Sequence, residues 1–238
     1  MTHTERQVWA EGAAVVVGAS GGVGAAMADA IDASGRFAPV LRLSRAGSAP
    51  LDLEDEASIA AAAARIGQGP APGLIIVATG VLHDGQEPER SYRALTAEHM
   101  LRDYRINTVG PALVARHFLP LLPRDRRAVF AALSARVGSI GDNRLGGWHS
   151  YRASKAALNM VLKNLAIELA RSHPLAVVAG LHPGTVATEL SAPFQKGVPA
   201  GKLFTPQQSA ERLLAVLDGL APGDSGGVFA WDGARIPE

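Results

Sequence analysis

Short, continuous apolar runs alternate with longer stretches of helical periodicity along the chain. Ala13–Val17 is apolar at every position, which predicts a parallel strand covered on both faces. Residues 22–34 follow as an Ala-rich helix that Gly35 stops. Val40–Leu43 predicts a second strand. Residues 54–66 read as a helix with acidic residues in its first turn, where the helix dipole favours them, and the 67–73 stretch with Pro70 and Pro72 ends it. Residues 74–78 predict a third strand, 96–122 a helix that Pro111 kinks or breaks, and 128–134 a fourth strand. A long helix over 150–170 and a strand over 176–181 come next, then a Pro/Gly-containing loop over 182–204. Thr205 predicts an N-cap, with Pro206 at the first helical position and Gln208 closing a capping box; that helix runs to Leu220, and 227–231 is a last strand. The repeated strand–helix order predicts an α/β fold: a single doubly wound (Rossmann-type) parallel sheet with helices on both faces, one domain over 1–238.

Composition narrows the chemistry. The 238 residues contain no cysteine, which excludes disulfide scaffolds, thiolate metal sites and a Cys nucleophile. Lys and Arg total 23 against 22 Asp and Glu, with no basic block, so no nucleic-acid partner is expected. The first twelve residues are polar, and no apolar run approaches the ~18 residues of a membrane helix; the expectation is a soluble, cytoplasmic protein without a membrane partner. The seven His residues show no metal-ligand spacing, so no metal is expected, and no G-x-S-x-G elbow points to a hydrolase.

The turn Gly18-Ala19-Ser20-Gly21-Gly22-Val23-Gly24 lies between the first strand and the first helix. A phosphate group needs backbone N–H donors, no Cβ in the way, and a helix N-terminus. Gly18 serves the tight turn, Gly22 the approach to a pyrophosphate, and Gly24 the packing of helix on sheet. A Gly-Lys-Ser/Thr sequence is missing, which disfavours a P-loop nucleotidase. The second strand ends in Ser44-Arg45 rather than in a carboxylate, and a guanidinium fork suits phosphate; NADP(H) is therefore expected over NAD(H).

Tyr151 and Lys155 stand four residues apart, on one helical face. A free phenol titrates at about 10, and a neighbouring ammonium lowers that value, giving a proton donor and acceptor for carbonyl or alcohol chemistry. Together, Gly18-x3-Gly22-x-Gly24, Asn107, Tyr151-x3-Lys155 and Pro183-Gly184-Thr185-Val186-Ala187-Thr188 make the chain resemble the short-chain dehydrogenase/reductase family over nearly its whole length. The segment from Ser134 to Lys155 resembles the C-factor and sniffer-type carbonyl reductase branch. The resemblance implies that Tyr151 exchanges a proton with the substrate oxygen and that Lys155 lowers its pKa and binds the nicotinamide ribose. It implies that Ser134 hydrogen-bonds the carbonyl and that Asn107 orders a water relay behind Lys155. Asp52 and Leu53 would border the adenine, Ala78 and Gly80 would contact the cofactor, and Pro183, Gly184, Val186 and Thr188 would border the nicotinamide amide and phosphates. It also implies a homodimer or homotetramer built from the long helices.

Two departures from the family pattern stand out. Its usual Asn-Asn-Ala-Gly is Val77-Ala78-Thr79-Gly80 here, and Ser134 lies 17 residues before Tyr151 (151 − 134), an unusually long interval. Ser139 is the alternative; Ser134 is preferred because it ends an apolar run, where a strand's C-terminal edge faces the ligand. Phe194 and Trp148 are aromatic candidates for contact with a lipophilic substrate. Two other classes remain open: a non-catalytic NADP(H)-sensing regulator with the same fold, and an S-adenosylmethionine-dependent methyltransferase, which has no use for the Tyr–Lys pair.

Overall fold

A computed structural model describes residues 11–47, 50–83, 85–199 and 201–238; most of the polar N-terminal stretch lies outside them. The chain opens with β1 (Ala13–Val17), α1 (Gly22–Ala33), β2 (Val40–Leu43), α2 (Glu56–Ile66) and β3 (Pro72–Val77). It continues through α3 (Ala97–Tyr104), a π-helical turn (Arg105–Val109), α4 (Gly110–Phe118), β4 (Ala128–Leu133) and α5 (His149–Leu169). It closes with β5 (Ala176–His182), β6 (Thr185–Val186), β7 (Leu203–Phe204), α6 (Pro206–Gly219) and β8 (Val228–Ala230).

Six strands form one sheet in the order β2-β1-β3-β4-β5-β8, every pairing parallel. The chain winds outward from β1 to β2, then crosses back to β3 on the other side of β1. That reversal opens a crevice at the C-terminal ends of β1 and β3, where sheets of this kind bind ligands. Period-two alternation divides the strands between two cores. Val15, Val17, Ile75, Val77, Phe130 and Ala132 face α2, α4 and α5. Ala14, Val16, Leu74, Ile76, Val129 and Ala131 face α1 and α6. Both faces are dry, which is why the strands read as unbroken apolar runs.

Several element boundaries differ from the sequence expectation. The predicted helix over 96–122 is two helices joined by the π turn. Pro111 has no N–H for the Asn107 carbonyl and its ring crowds that oxygen, so a wider turn absorbs the misfit. The helix expected from 54 starts at Glu56, because the Asp55 carboxylate accepts the Ala57 N–H at 3.0 Å and caps it. The third strand begins at Pro72, where the register with Ala13 shifts, a position that tolerates proline. The loop over 182–204 holds the short β6–β7 ladder and a 3-10 turn, Ala192–Gly197. The capping box of α6 forms as its sequence predicts.

Candidate active site

The first strand delivers the glycine turn to the crevice. Gly18 takes φ +86°, and a Cβ there would lie 2.8 Å from the Thr79 methyl. A Cβ on Gly24 would stand 2.2 Å from the Gly18 carbonyl oxygen, so only glycine lets α1 sit this close to the turn that precedes it. At Gly22 a Cβ would meet the Thr188 methyl at 2.7 Å, which shows that the segment after β5 lies over the start of α1. Gly21, the N-cap, offers no side chain to the first helical N–H groups. Ser20, Gly21 and Gly22 are exposed, and Val23 packs its side chain back onto the sheet. Bare amides at a positive helix end, held open by residues without Cβ atoms, fit a pyrophosphate.

The second cluster gathers on α5. Lys155 is buried, and its Nζ donates to the Leu133 carbonyl at 2.9 Å, at the end of β4. Asn107 is fully buried: its Nδ2 donates to the Val81 carbonyl at 3.0 Å and to Ser154 Oγ at 3.1 Å, and its Oδ1 accepts the Val81 N–H at 2.9 Å. A Cβ on Gly80 would lie 3.4 Å from Asn107 Oδ1 and 3.5 Å from Lys155 Nζ, so the three positions meet at one point. Lys155 Nζ stands 5.8 Å from the centre of the Tyr151 ring.

Burial pulls the Lys155 ammonium down to about 8, against Asp103, which raises it. Burial pushes the Tyr151 phenol above its usual range, and the Asp103 carboxylate adds to that. The net shift is upward, where the sequence led to an expected downward pull from Lys155; burial is the largest cause, and Asp103 acts in the same direction. A phenol kept protonated at neutral pH is suited to donate.

The remaining expected residues sort by place. Ser44 and Arg45 follow β2, whose last carbonyl, Leu43, accepts the Gly18 and Ala19 N–H groups at 2.8 and 3.1 Å; Arg45 is exposed there. Asp52 Oδ1 accepts the Glu54 N–H at 3.0 Å, and Leu53 is buried against Gly110. Ala78 touches the glycine turn: a Cβ on Gly24 would lie 3.1 Å from its methyl. Pro183 accepts from Ser209 Oγ at 2.9 Å through its carbonyl, Gly184 takes φ +78°, Val186 is buried in β6, and the Thr188 N–H returns to the Val186 carbonyl at 2.8 Å. Ser134 Oγ donates to Asn159 Oδ1 at 2.6 Å, while Ser139 Oγ accepts the Asp142 N–H at 3.0 Å.

Sequence reasoning missed Asn159, although it continues the Tyr151–Lys155 face by another four residues. Trp148 has φ +50° after two left-handed glycines, Gly146 and Gly147. That bend sets its ring 6.3 Å from Tyr151 and 4.8 Å from Phe194, so both aromatics named from sequence stand at the mouth of the site.

A doubly wound sheet with a glycine turn at its switch point and a Tyr–Lys pair beside it defines a class, and the comparisons agree. The model of the short chain dehydrogenase family matches residues 12–198, and the chain belongs to that family. It is 33% identical over 187 residues to the 1-hydroxy-2-glutathionyl-2-methyl-3-butene dehydrogenase of Rhodococcus sp. (strain AD45), covering 78% of this chain and 77% of that one. It is 36% identical over 138 residues to the C-signal protein of Myxococcus xanthus, covering 58% and 78%. An uncharacterised oxidoreductase of Schizosaccharomyces pombe, C663.09c, is 33% identical over 144 residues; the match spans 56% of its length, little more than half. Among solved structures, the NADPH-bound carbonyl reductase from chicken fatty liver superposes with a TM-score of 0.82 at 25% identity, covering 99% of this chain and 97% of that one. The carbonyl reductase Sniffer of D. melanogaster shares the fold, with a TM-score of 0.78 at 20% identity over 96% and 99% of the two chains.

Proposed function

We propose that the chain is an oxidoreductase that transfers a hydride between NADP(H) and a carbonyl or alcohol substrate, with Tyr151 as general acid and base. The meeting of Gly80, Asn107 and Lys155 beside Tyr151, one crevice away from the glycine turn, carries this reading. The reduced nicotinamide, when bound, supplies the hydride. The glycine turn and the N-terminus of α1 hold the pyrophosphate. Lys155 holds the nicotinamide ribose, Asn107 fixes the relay behind it, Tyr151 gives its proton to the substrate oxygen, and Ser134 steadies the charge growing there. Preference for NADP(H) over NAD(H) rests on Arg45: neighbouring Arg42 is engaged by Asp29 at 2.6 Å, and Arg45 is the exposed guanidinium at the crevice. Asp52 and Leu53 border the adenine.

The substrate is a small molecule. Leu101, Val109, Met160 and Ile167 lie exposed on α3, the π turn and α5, which supports a homodimer or homotetramer. A cytoplasmic location is part of the proposal; no helix among the described residues is long and apolar enough to cross a membrane.

The test is a panel of ketones and aldehydes assayed by NADPH and NADH oxidation, with Tyr151→Phe and Arg45→Asp as variants. The expected result is turnover with NADPH, loss of roughly a hundredfold or more in Tyr151→Phe with cofactor still bound, and a reversed or abolished preference in Arg45→Asp. NADPH that binds while no carbonyl is reduced would favour the regulatory alternative instead.

A further inference from the structure

Beneath the Tyr–Lys pair lies a set of titratable residues that the proposed chemistry does not use. Glu89, His99 and Asp103 are 3%, 4% and 0% exposed. Burying a carboxylate is costly unless something compensates it, so two in one place call for a reason. Glu89 is bound to the start of α5. Its Oε2 accepts the Ser150 N–H at 3.2 Å, its Oε1 accepts the Ser150 hydroxyl in a short hydrogen bond, and its own carbonyl accepts the Trp148 N–H at 2.5 Å. The N-cap of α5, Trp148, contributes no side-chain hydrogen bond, and Glu89 fills that role from a distant segment. His99 stands between the two carboxylates: its Nδ1 is 3.4 Å from Glu89 Oε1, and its Nε2, which makes no hydrogen bond among the described residues, is 3.8 Å from Asp103 Oδ1. Asp103 sits one turn before Asn107, and its carboxylate oxygens accept no hydrogen bond among the described residues.

We propose that Glu89, His99 and Asp103 are one positioning unit, in which Glu89 caps the helix bearing Tyr151 and Lys155, and His99 is packed between that cap and Asp103 on the helix that leads into Asn107. The proposal rests on the reading of Tyr151 and Lys155 given above. Its parts join the two elements that must keep register for proton transfer: the start of α5 and the turn that holds Asn107. The groups facing Asp103 are His99 and Arg102 from its own helix, Glu89 from the preceding segment, and Tyr151 and Lys155 from α5. Burial pushes Asp103 up to about 6, against His99 and Arg102, so it is ionised at neutral pH. A negative charge there raises both Tyr151 and Lys155. It favours neutral phenol and charged ammonium together, the state from which a carbonyl is reduced.

NADPH binding to the purified full chain, followed by cofactor fluorescence from pH 6 upward, reads Lys155 without requiring turnover. In the wild type, affinity falls as pH rises through about 8, where the ammonium is lost. In Asp103→Asn the fall begins at lower pH, because the charge that sustains the ammonium is gone; an unmoved midpoint overturns the proposal. Asp103→Leu, of similar volume, replaces the Asn variant should that one not fold, and the same shift is expected. Glu89→Gln, whose amide oxygen still accepts the Ser150 N–H, keeps most of its kcat, whereas in Glu89→Met kcat for a carbonyl substrate falls roughly tenfold or more while the KM for NADPH stays within about twofold. An unchanged kcat in Glu89→Met overturns the capping half. Failure of NADPH to bind the wild type, or full activity in Tyr151→Phe, strikes the functional reading and this proposal with it, whereas an unmoved midpoint in Asp103→Asn with binding and Tyr151 dependence intact strikes this proposal alone.

Discussion

Ser134 and Ser139 commit their hydroxyls differently, and the difference bears on which one meets the substrate. Ser139 Oγ accepts the Asp142 N–H and keeps its own proton, but it lies in a turn; Ser134 Oγ spends its proton on Asn159, yet it stands against the face of α5 that carries Tyr151 and Lys155, where the substrate oxygen is expected. A donor to a developing oxyanion needs a proton free to point at it. Rotating the Asn159 amide by half a turn presents Nδ2 to Ser134, which then accepts and releases its own hydrogen toward the crevice. The amide has little to lose, since its Nδ2 contact with the Gly138 carbonyl is already 3.5 Å long. Ser134→Ala is therefore expected to lower kcat by roughly ten- to a hundredfold with NADPH affinity unchanged, and Ser139→Ala to act mainly on stability. Steady-state kinetics of both variants decides, and a large loss confined to Ser139→Ala transfers the role.

At the scale of elements, the strand–turn–helix unit of β1 and α1 leaves little tolerance. A methyl on Gly24 would meet backbone, the Gly18 carbonyl oxygen, and backbone cannot swing aside as a side chain can. Gly24→Ala is expected to lower the melting temperature and abolish NADPH binding, measured by thermal unfolding and cofactor fluorescence. Gly219→Ala, where a Cβ meets nothing within 4 Å, serves as the control and leaves binding intact. Such local units were readable because their causes are local. Apolar runs marked the buried strands, glycine spacing marked the turn, and Thr205 with Gln208 marked the start of α6. The π turn was not readable, since a helical pattern looks the same whether proline bends it or widens it. Nor was the cap on α5, because Glu89 reaches Ser150 across 61 residues of chain. Asn159 was overlooked for a different reason: its partner Ser134 faces it only once β4 lies against α5.

Across the whole molecule, two buried groups with shifted pKa values oppose each other in one pH window. Asp103 rises from 3.8 to about 6 on folding, so between those values the folded state holds a proton that the unfolded state has released, and stability falls as pH rises. His182 moves the other way, pulled from 6.5 to about 4 by burial and then by Arg136, against Asp232. Between those values the unfolded state holds the extra proton, and stability rises with pH. The two contributions offset one another in the wild type. They lie at separate places, Asp103 under α5 and His182 at the end of β5, so each can be removed alone. Relative to wild type, the melting temperature of Asp103→Asn should climb as pH is raised from about 4 to about 6, because His182 is left unopposed. In His182→Asn the slope should reverse. Thermal unfolding across that range, at fixed ionic strength, measures both, and parallel curves for the three proteins would show that neither group changes its proton affinity on folding.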